Sequence, residues 1–438
     1  MKIFFPKVRY YKIYDNFNII LVNTESNIFT ASITIDIGSI NEKYNELGLA
    51  HFYEHMIFKG TTNSSSIEIS EKLDLLGTKY NASTGYNKTE YIISGNTKDY
   101  DIILNTLLDL FLNPIFPQQD IANELNVVLE EFRMYQDNKS RQTLYKLMEL
   151  LYQDTDNKYS IPVIGKPEYI SNLTRDNLLK FHTEKYLPAN KILSIIGPID
   201  DIKIINIIEK IFKTSVQKWH PKFINLDSKL LVPYYNKTGS YKLDIIKNPD
   251  INQFIVSIGF RSINNYSKWS LISYILEEIL AGSITSRLFV LLRNKLGLTY
   301  YQNADSQTFP KHGYFYIGYG VQPDGLEISL KAVLKELFDF NKNTITDYEL
   351  QKGKTIIETS LLFNIETNKD VGNYIISSVI NKIDPNYLKK INSKINKITK
   401  KHIYQFVDKI FKKSNLFIVI NGTDVINYDN IKQIIDDI

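Results

Sequence analysis

His51-Phe-Tyr-Glu54-His55 sets two imidazoles four residues apart with a carboxylate between them. At about 100° per residue, the three side chains fall at roughly 0°, 300° and 40° around a helix, all on one face. Two imidazoles at i and i+4 chelate one divalent ion, and a carboxylate at i+3 reaches a water on that ion as its general base. Zinc with one open position needs a third protein ligand, which must come from elsewhere in the chain. Cysteine is absent, so that ligand is His or a carboxylate. Glu124, Glu130 and Glu131 offer themselves from a later amphipathic helix, with Glu124 and Glu131 seven residues apart and so on one face. Spacing does not choose among them. The bland alternative for two His and a Glu on one helix is a solvated polar face. Leu47, Leu49, Ala50, Phe52, Met56, Ile57 and Phe58 argue against it, because they make this helix apolar nearly all round. Buried imidazoles and a carboxylate without partners would be costly.

The elements that must hold these residues occur twice. Asn16–Val22 and Ile28–Ile37 read as strands, followed by helices from about Leu47 to Phe58 and Ile67 to Leu76. Then come a turn at Gly77, a β-like run from Tyr80 to Ser94, and helices over about 97–113 and 120–135. The apolar strand Ile192–Ile196 closes this half. The second half replays the order with the strand Phe254–Phe260, the helix Trp269–Leu280 and the strand Tyr314–Tyr319. Leu296-Gly297-Leu-Thr-Tyr300 mirrors Leu76-Gly77-Thr-Lys-Tyr80, Tyr348–Glu358 mirrors the helix of Glu124 and Glu131, and Leu416–Asn421 mirrors Ile192–Ile196. A repeat of about 220 residues is too long for a solenoid. It predicts an α+β fold of two homologous domains, each a mainly antiparallel sheet with helices packed on one face. The expected division is 1–216 for the metal-binding domain, 217–241 for a linker rich in breakers, and 242–438 for a second domain without a metal site. The helix matching His51–His55 there, Leu271–Glu278, contains no His.

Gly48-Leu-Ala-His51-Phe-Tyr-Glu54-His55-Met-Ile-Phe-Lys-Gly60-Thr61 resembles, over its full length, the signature of the insulinase/pitrilysin metallopeptidases. His-x-x-Glu-His is the inverzincin order, and the surroundings are similar to the branch of mitochondrial processing peptidase and its bacterial relatives. The family's third zinc ligand falls on Glu131, and a supporting acidic residue falls on Glu124. The resemblance therefore implies one zinc per chain on His51, His55 and Glu131, with Glu54 activating the water. Leu76-Gly77-Thr-Lys-Tyr-Asn81-Ala82-Ser-Thr84 resembles the segment of the edge strand that pairs with a peptide substrate, which implies substrate contacts at Asn81 and Ala82. Arg293 and Tyr300 match the family's Arg/Tyr pair, seven residues apart. By that resemblance they reach the first domain's site when the halves close, and Tyr300 donates to the developing oxyanion. Only 7 of the 52 cations here are Arg, so an Arg retained at 293 favours a role that a lysine would not fill. Arg287, nearby, reads as structural.

At roughly 150 residues per domain, 438 residues predict two or three domains. A net charge of +4 leaves no nucleic-acid footprint, and no apolar run approaches the roughly 18 residues of a membrane helix. The first residues lack an apolar signal core, so cytoplasm is the expected compartment. The expected function is a zinc-dependent endopeptidase acting on unfolded peptides or precursor segments. The competing readings are a noncatalytic or regulatory subunit paired with an active chain, and a peptide-binding module without zinc. By resemblance, a closed chamber takes four such units, which predicts a homodimer or a heterodimer with a related chain.

Overall fold

A computed structural model describes residues 6–14, 16–154, 158–214, 240–380 and 387–438. The first sheet holds β1 (Val8–Tyr14), β2 (Phe17–Asn23), β3 (Ile28–Ile35), β4 (Lys79–Thr84), β5 (Thr89–Asn96) and β6 (Lys191–Gly197), ordered β1-β2-β6-β3-β5-β4. The second holds β7 (Lys242–Lys247), β8 (Phe254–Ser262), β9 (Thr299–Thr308), β10 (Gly313–Val321) and β11 (Leu416–Gly422), ordered β7-β11-β8-β10-β9. With β1 set aside, the two orders are the same. Each sheet also has one parallel pair at the same place, β2 with β6 and β7 with β11, among antiparallel neighbours. The repeat read from four landmarks is thus a repeat of topology. Its turns agree too: Gly77 and Gly297 both take left-handed conformations, with φ of +61° and +65°, which glycine adopts without a Cβ penalty.

Alternation along the strands explains the layering. In β2, Ile19 and Leu21 face one core together with Leu104, Leu108 and Phe111 of the helix Tyr100–Leu112. Ile20 and Val22 point to the opposite face. The first half's helices are α1 (Leu49–Met56), α2 (Ser66–Leu75), α3 (Tyr100–Leu112), α4 (Gln118–Asp137) and α5 (Lys139–Tyr152). The mixed α+β architecture, with each sheet carrying helices of its own half on one face, is as expected. The run Tyr80–Ser94 resolves into the hairpin β4–β5, and the edge strand β1 was not anticipated.

Periodicity also gave no sign of an exchange between the halves. Helix α5 lies on β8 and β11, where Leu147 and Leu151 meet Phe417 and Val419. The helix Asn368–Ile380 lies on β3 and β6, where Val371, Ile375 and Ile376 meet Ile20, Val22, Ile192 and Ile196. Each half therefore covers the back of the other's sheet. Pulling them apart would expose these side chains at about 1.5–3 kcal/mol each. The expected linker, 217–241, lies outside the described residues apart from Ser240 and Tyr241. Among the described residues, no helix is long and apolar enough to cross a membrane.

Candidate metal centre

Helix α1 is only eight residues long, so its free N-terminal amides matter to its stability. Glu42 supplies the cap. Its Oε2 accepts from the Gly48 N–H at 3.0 Å and its Oε1 from the Ala50 N–H at 2.7 Å. The carboxylate is buried, and Lys158 Nζ donates to the Glu42 and Ile40 carbonyls behind it. Sequence reasoning missed Glu42, because it precedes the helix by more than the usual capping distance. Glu42→Ala is expected to lower the unfolding free energy by about 1–3 kcal/mol, because it strands buried amides beside His51. Urea denaturation of the two proteins checks this.

Helix α4 packs across α1 and brings two of the three carboxylates left open by spacing to the His pair. Glu131 Oε2 lies 3.6 Å from His51 Nε2 and 3.6 Å from His55 Nε2, and the two imidazole centres are 4.6 Å apart. Glu124 sits one side further out. Its Oε1 is 2.8 Å from His55 Nδ1 and its Oε2 is 2.5 Å from Lys59 Nζ. Glu130 turns outward to pair with Arg133 in solvent. On α1 itself, Glu54 shares a donor cluster with the histidines, all within 4.8 Å of one another, and its Oε2 accepts from Thr84 Oγ1 at 3.3 Å.

Tetrahedral zinc with bonds of roughly 2.0–2.2 Å sets neighbouring ligand atoms about 3.4 Å apart. The two 3.6 Å separations suit that geometry. His55 presents Nε2 inward because Glu124 takes its Nδ1, an arrangement common around metal-ligating imidazoles. His51 is buried, its Nε2 faces Glu131, and among the described residues its Nδ1 has no hydrogen-bond partner. The residues present therefore fit a zinc ion, with Glu131 better placed than Glu54 as the third donor. Glu131 Oε2 is equidistant from both imidazoles, whereas Glu54 is drawn toward β4 by Thr84.

The electrostatics of these side chains separate them sharply. Burial pulls His51 down to about 4, with His55 adding to the pull and Glu131 opposing it. Burial would lower His55 too, but hydrogen bonds to Glu124 and Glu131 outweigh it and hold the group up at about 9. The bond from His55 draws Glu131 down to about 2 against its burial, with Tyr135 and the charges of both histidines helping. Burial pushes Glu54 above the usual carboxylate range, opposed by the His55 charge and the Thr84 hydroxyl. Glu124 is held below that range despite burial, by its bonds to His55 and Lys59.

The other residues singled out from sequence fall into two groups. Asn81 and Ala82 lie on β4, where Asn81 pairs with Ile92 and Ala82 with Tyr91 of β5. The other side of β4 pairs with no strand among the described residues, and α1 runs alongside. Asn81 is exposed and Ala82 half-buried. Arg293 and Tyr300 lie together in the second half, the guanidinium 5.1 Å from the centre of the Tyr300 ring. Tyr300 is the second residue of the edge strand β9 and 77% exposed, and among the described residues no hydrogen bond, ion pair or ring contact joins the pair to the His51–Glu131 cluster. Arg287 is structural, bonded to Glu349 at 2.6 Å and to Glu336 at 3.1 Å.

Comparison with known proteins gives the chain's family. Residues 18–163 match the model of the insulinase family, peptidase family M16, and residues 172–357 match the model described as the M16 inactive domain. An uncharacterised zinc protease of Rickettsia felis is 30% identical over 359 residues, covering 80% of this chain and 84% of that protein. A second, from Bacillus subtilis, is 26% identical over 349 residues, covering 78% of this chain and 81% of its own. Among solved structures, a protease from Helicobacter pylori shares the fold with a TM-score of 0.83 at 22% identity, covering 95% of this chain and 99% of that one. The duplicated sheet, the donor set in its first half and these matches all lead to one statement: the chain belongs to the insulinase family of peptidases, family M16.

Proposed function

We propose that this chain is a zinc-dependent endopeptidase that hydrolyses unfolded peptides or segments of precursor proteins. The observation that carries the reading is the placement of Glu131 Oε2 at 3.6 Å from both imidazoles, with Glu54 on the same helix face turned toward an open strand edge. His51, His55 and Glu131 would hold one zinc per chain, which supplies Lewis-acid polarisation and a water acidified to a pKa of roughly 7. Glu54 takes the proton of the attacking water and returns it to the leaving amine nitrogen. Its raised basicity, set by burial, suits it to hold that proton between the two steps. Glu124 holds His55 at Nδ1 and keeps its other nitrogen aimed inward.

An extended peptide adds to the free side of β4 through main-chain hydrogen bonds, past Asn81 and Ala82, with weak dependence on its side chains. That mode suits unfolded substrates and places the scissile bond beside α1. Arg293 and Tyr300 complete the site in this reading. Their exposure, with no hydrogen bond, ion pair or ring contact to the cluster among the described residues, favours completion across a dimer, with the same chain or a related one as partner.

The test is elemental analysis and peptide hydrolysis on the protein purified alone, with the mass of the assembly measured alongside. About one zinc per chain with hydrolysis supports the endopeptidase. Zinc without hydrolysis until a related chain is added points to the paired subunit. Peptide affinity without zinc points to a binding module.

A further inference from the structure

Glu131 is a single half-buried carboxylate on α4, yet one of its oxygens is aimed at two imidazoles. Something has to hold its rotamer. One turn further along α4, the Tyr135 hydroxyl donates to Glu131 Oε1, the oxygen turned away from the His pair. The Tyr135 ring is itself covered, because the Arg141 guanidinium of α5 lies 4.1 Å above its centre. Asn138, between the two helices, caps α5 by accepting from the Arg141 N–H at 3.0 Å.

This corner is braced from the second half. Ser140 Oγ lies 3.1 Å from the Tyr301 hydroxyl of β9, and Gln142 Oε1 accepts from Asn421 Nδ2 of β11 at 2.9 Å. Helix α5 then continues onto β8 and β11. A continuous set of contacts therefore runs from the second sheet through α5, Arg141 and Tyr135 to the oxygen of Glu131 that does not face the imidazoles.

We propose that Tyr135, held by Arg141 on the helix that the second half braces, is a positioning residue that orients Glu131 for metal binding. A carboxylate with one oxygen already bonded loses less freedom when the other takes a ligand. Donors in this position typically change metal affinity by about 10–100-fold when removed. The half without a His pair thereby contributes to the metal centre through a rigid corner rather than through a ligand. This rests on the reading of Glu131 as a zinc ligand.

The experiment is zinc affinity of the full chain by competition with a chromogenic chelator, together with thermal unfolding of the metal-free protein. Tyr135→Phe keeps the ring beneath Arg141 and removes only the donor. Its zinc dissociation constant is expected to rise by about 10–100-fold, with metal-free unfolding unchanged. Arg141→Gln, at an exposed position, is expected to move the constant in the same direction by less, and it serves as the readout if Tyr135→Phe does not fold. Tight zinc in the wild type with an unchanged constant in these variants overturns the positioning role alone, as does lower metal-free stability without a change in affinity. A wild type that takes up no zinc overturns the metal reading and this proposal with it.

Discussion

Glu54→Gln is expected to keep its zinc and to lose peptidase activity by about 10²–10⁴-fold. The change is isosteric, and the amide oxygen of Gln can still accept from the Thr84 hydroxyl, so α1 and its contact with β4 should persist. What disappears is the basic oxygen that takes a proton from water. The same variant also decides a structural question. His51, Glu54 and His55 offer donors within 4.8 Å of one another, so geometry alone admits Glu54 as a ligand. If Glu54 were a ligand, zinc content would fall together with activity. Elemental analysis beside a peptide-cleavage assay separates the cases, and full activity in the variant would remove Glu54 as the base.

Glu131→Gln is expected to do the reverse, releasing the metal first and losing activity as a consequence. Its Oε2 is an anionic oxygen 3.6 Å from both imidazole Nε2 atoms. Replacing the carboxylate with an amide removes the charge that balances a divalent ion between the two histidines. The loss should exceed the roughly 10–100-fold cost typical of partners that only orient a ligand. Glu124→Gln makes the internal comparison. Glu124 touches His55 at Nδ1 and Lys59, and its loss should weaken zinc binding by no more than that range. Unchanged zinc in Glu131→Gln would return the third ligand to the other carboxylates. Glu130 is the poorest of these, being committed to Arg133 in solvent.

Much of the site was legible because the determinants are local. His51, Glu54 and His55 share a helix face by the 3.6-residue period alone, and an apolar surround makes their burial informative. Glu124 and Glu131 share a face of α4 for the same reason, but period alone could not rank them against Glu130. That took the crossing of α4 over α1, which turns Glu131 toward both rings and Glu124 toward the outer nitrogen of one. Glu42 and Tyr135 were missed for a related reason. An acid several residues ahead of a helix, or a tyrosine one turn past a glutamate, has many possible partners until the chain is folded.

By itself the sequence determined the duplication, the strand and helix periods, the donor types and the one helix able to present a His pair. Each of these follows from composition or from short-range spacing, which the unfolded chain already carries. Tertiary structure alone decided which carboxylates stand beside the His pair, and that the two halves exchange the helices Lys139–Tyr152 and Asn368–Ile380 across each other's sheets. It also left Arg293 and Tyr300 exposed against each other, with no hydrogen bond, ion pair or ring contact to the His pair among the described residues. These outcomes depend on how rigid elements dock once both faces of each sheet have to be buried. Alternation along β2 shows that both faces are apolar, but not which helix comes to cover each one.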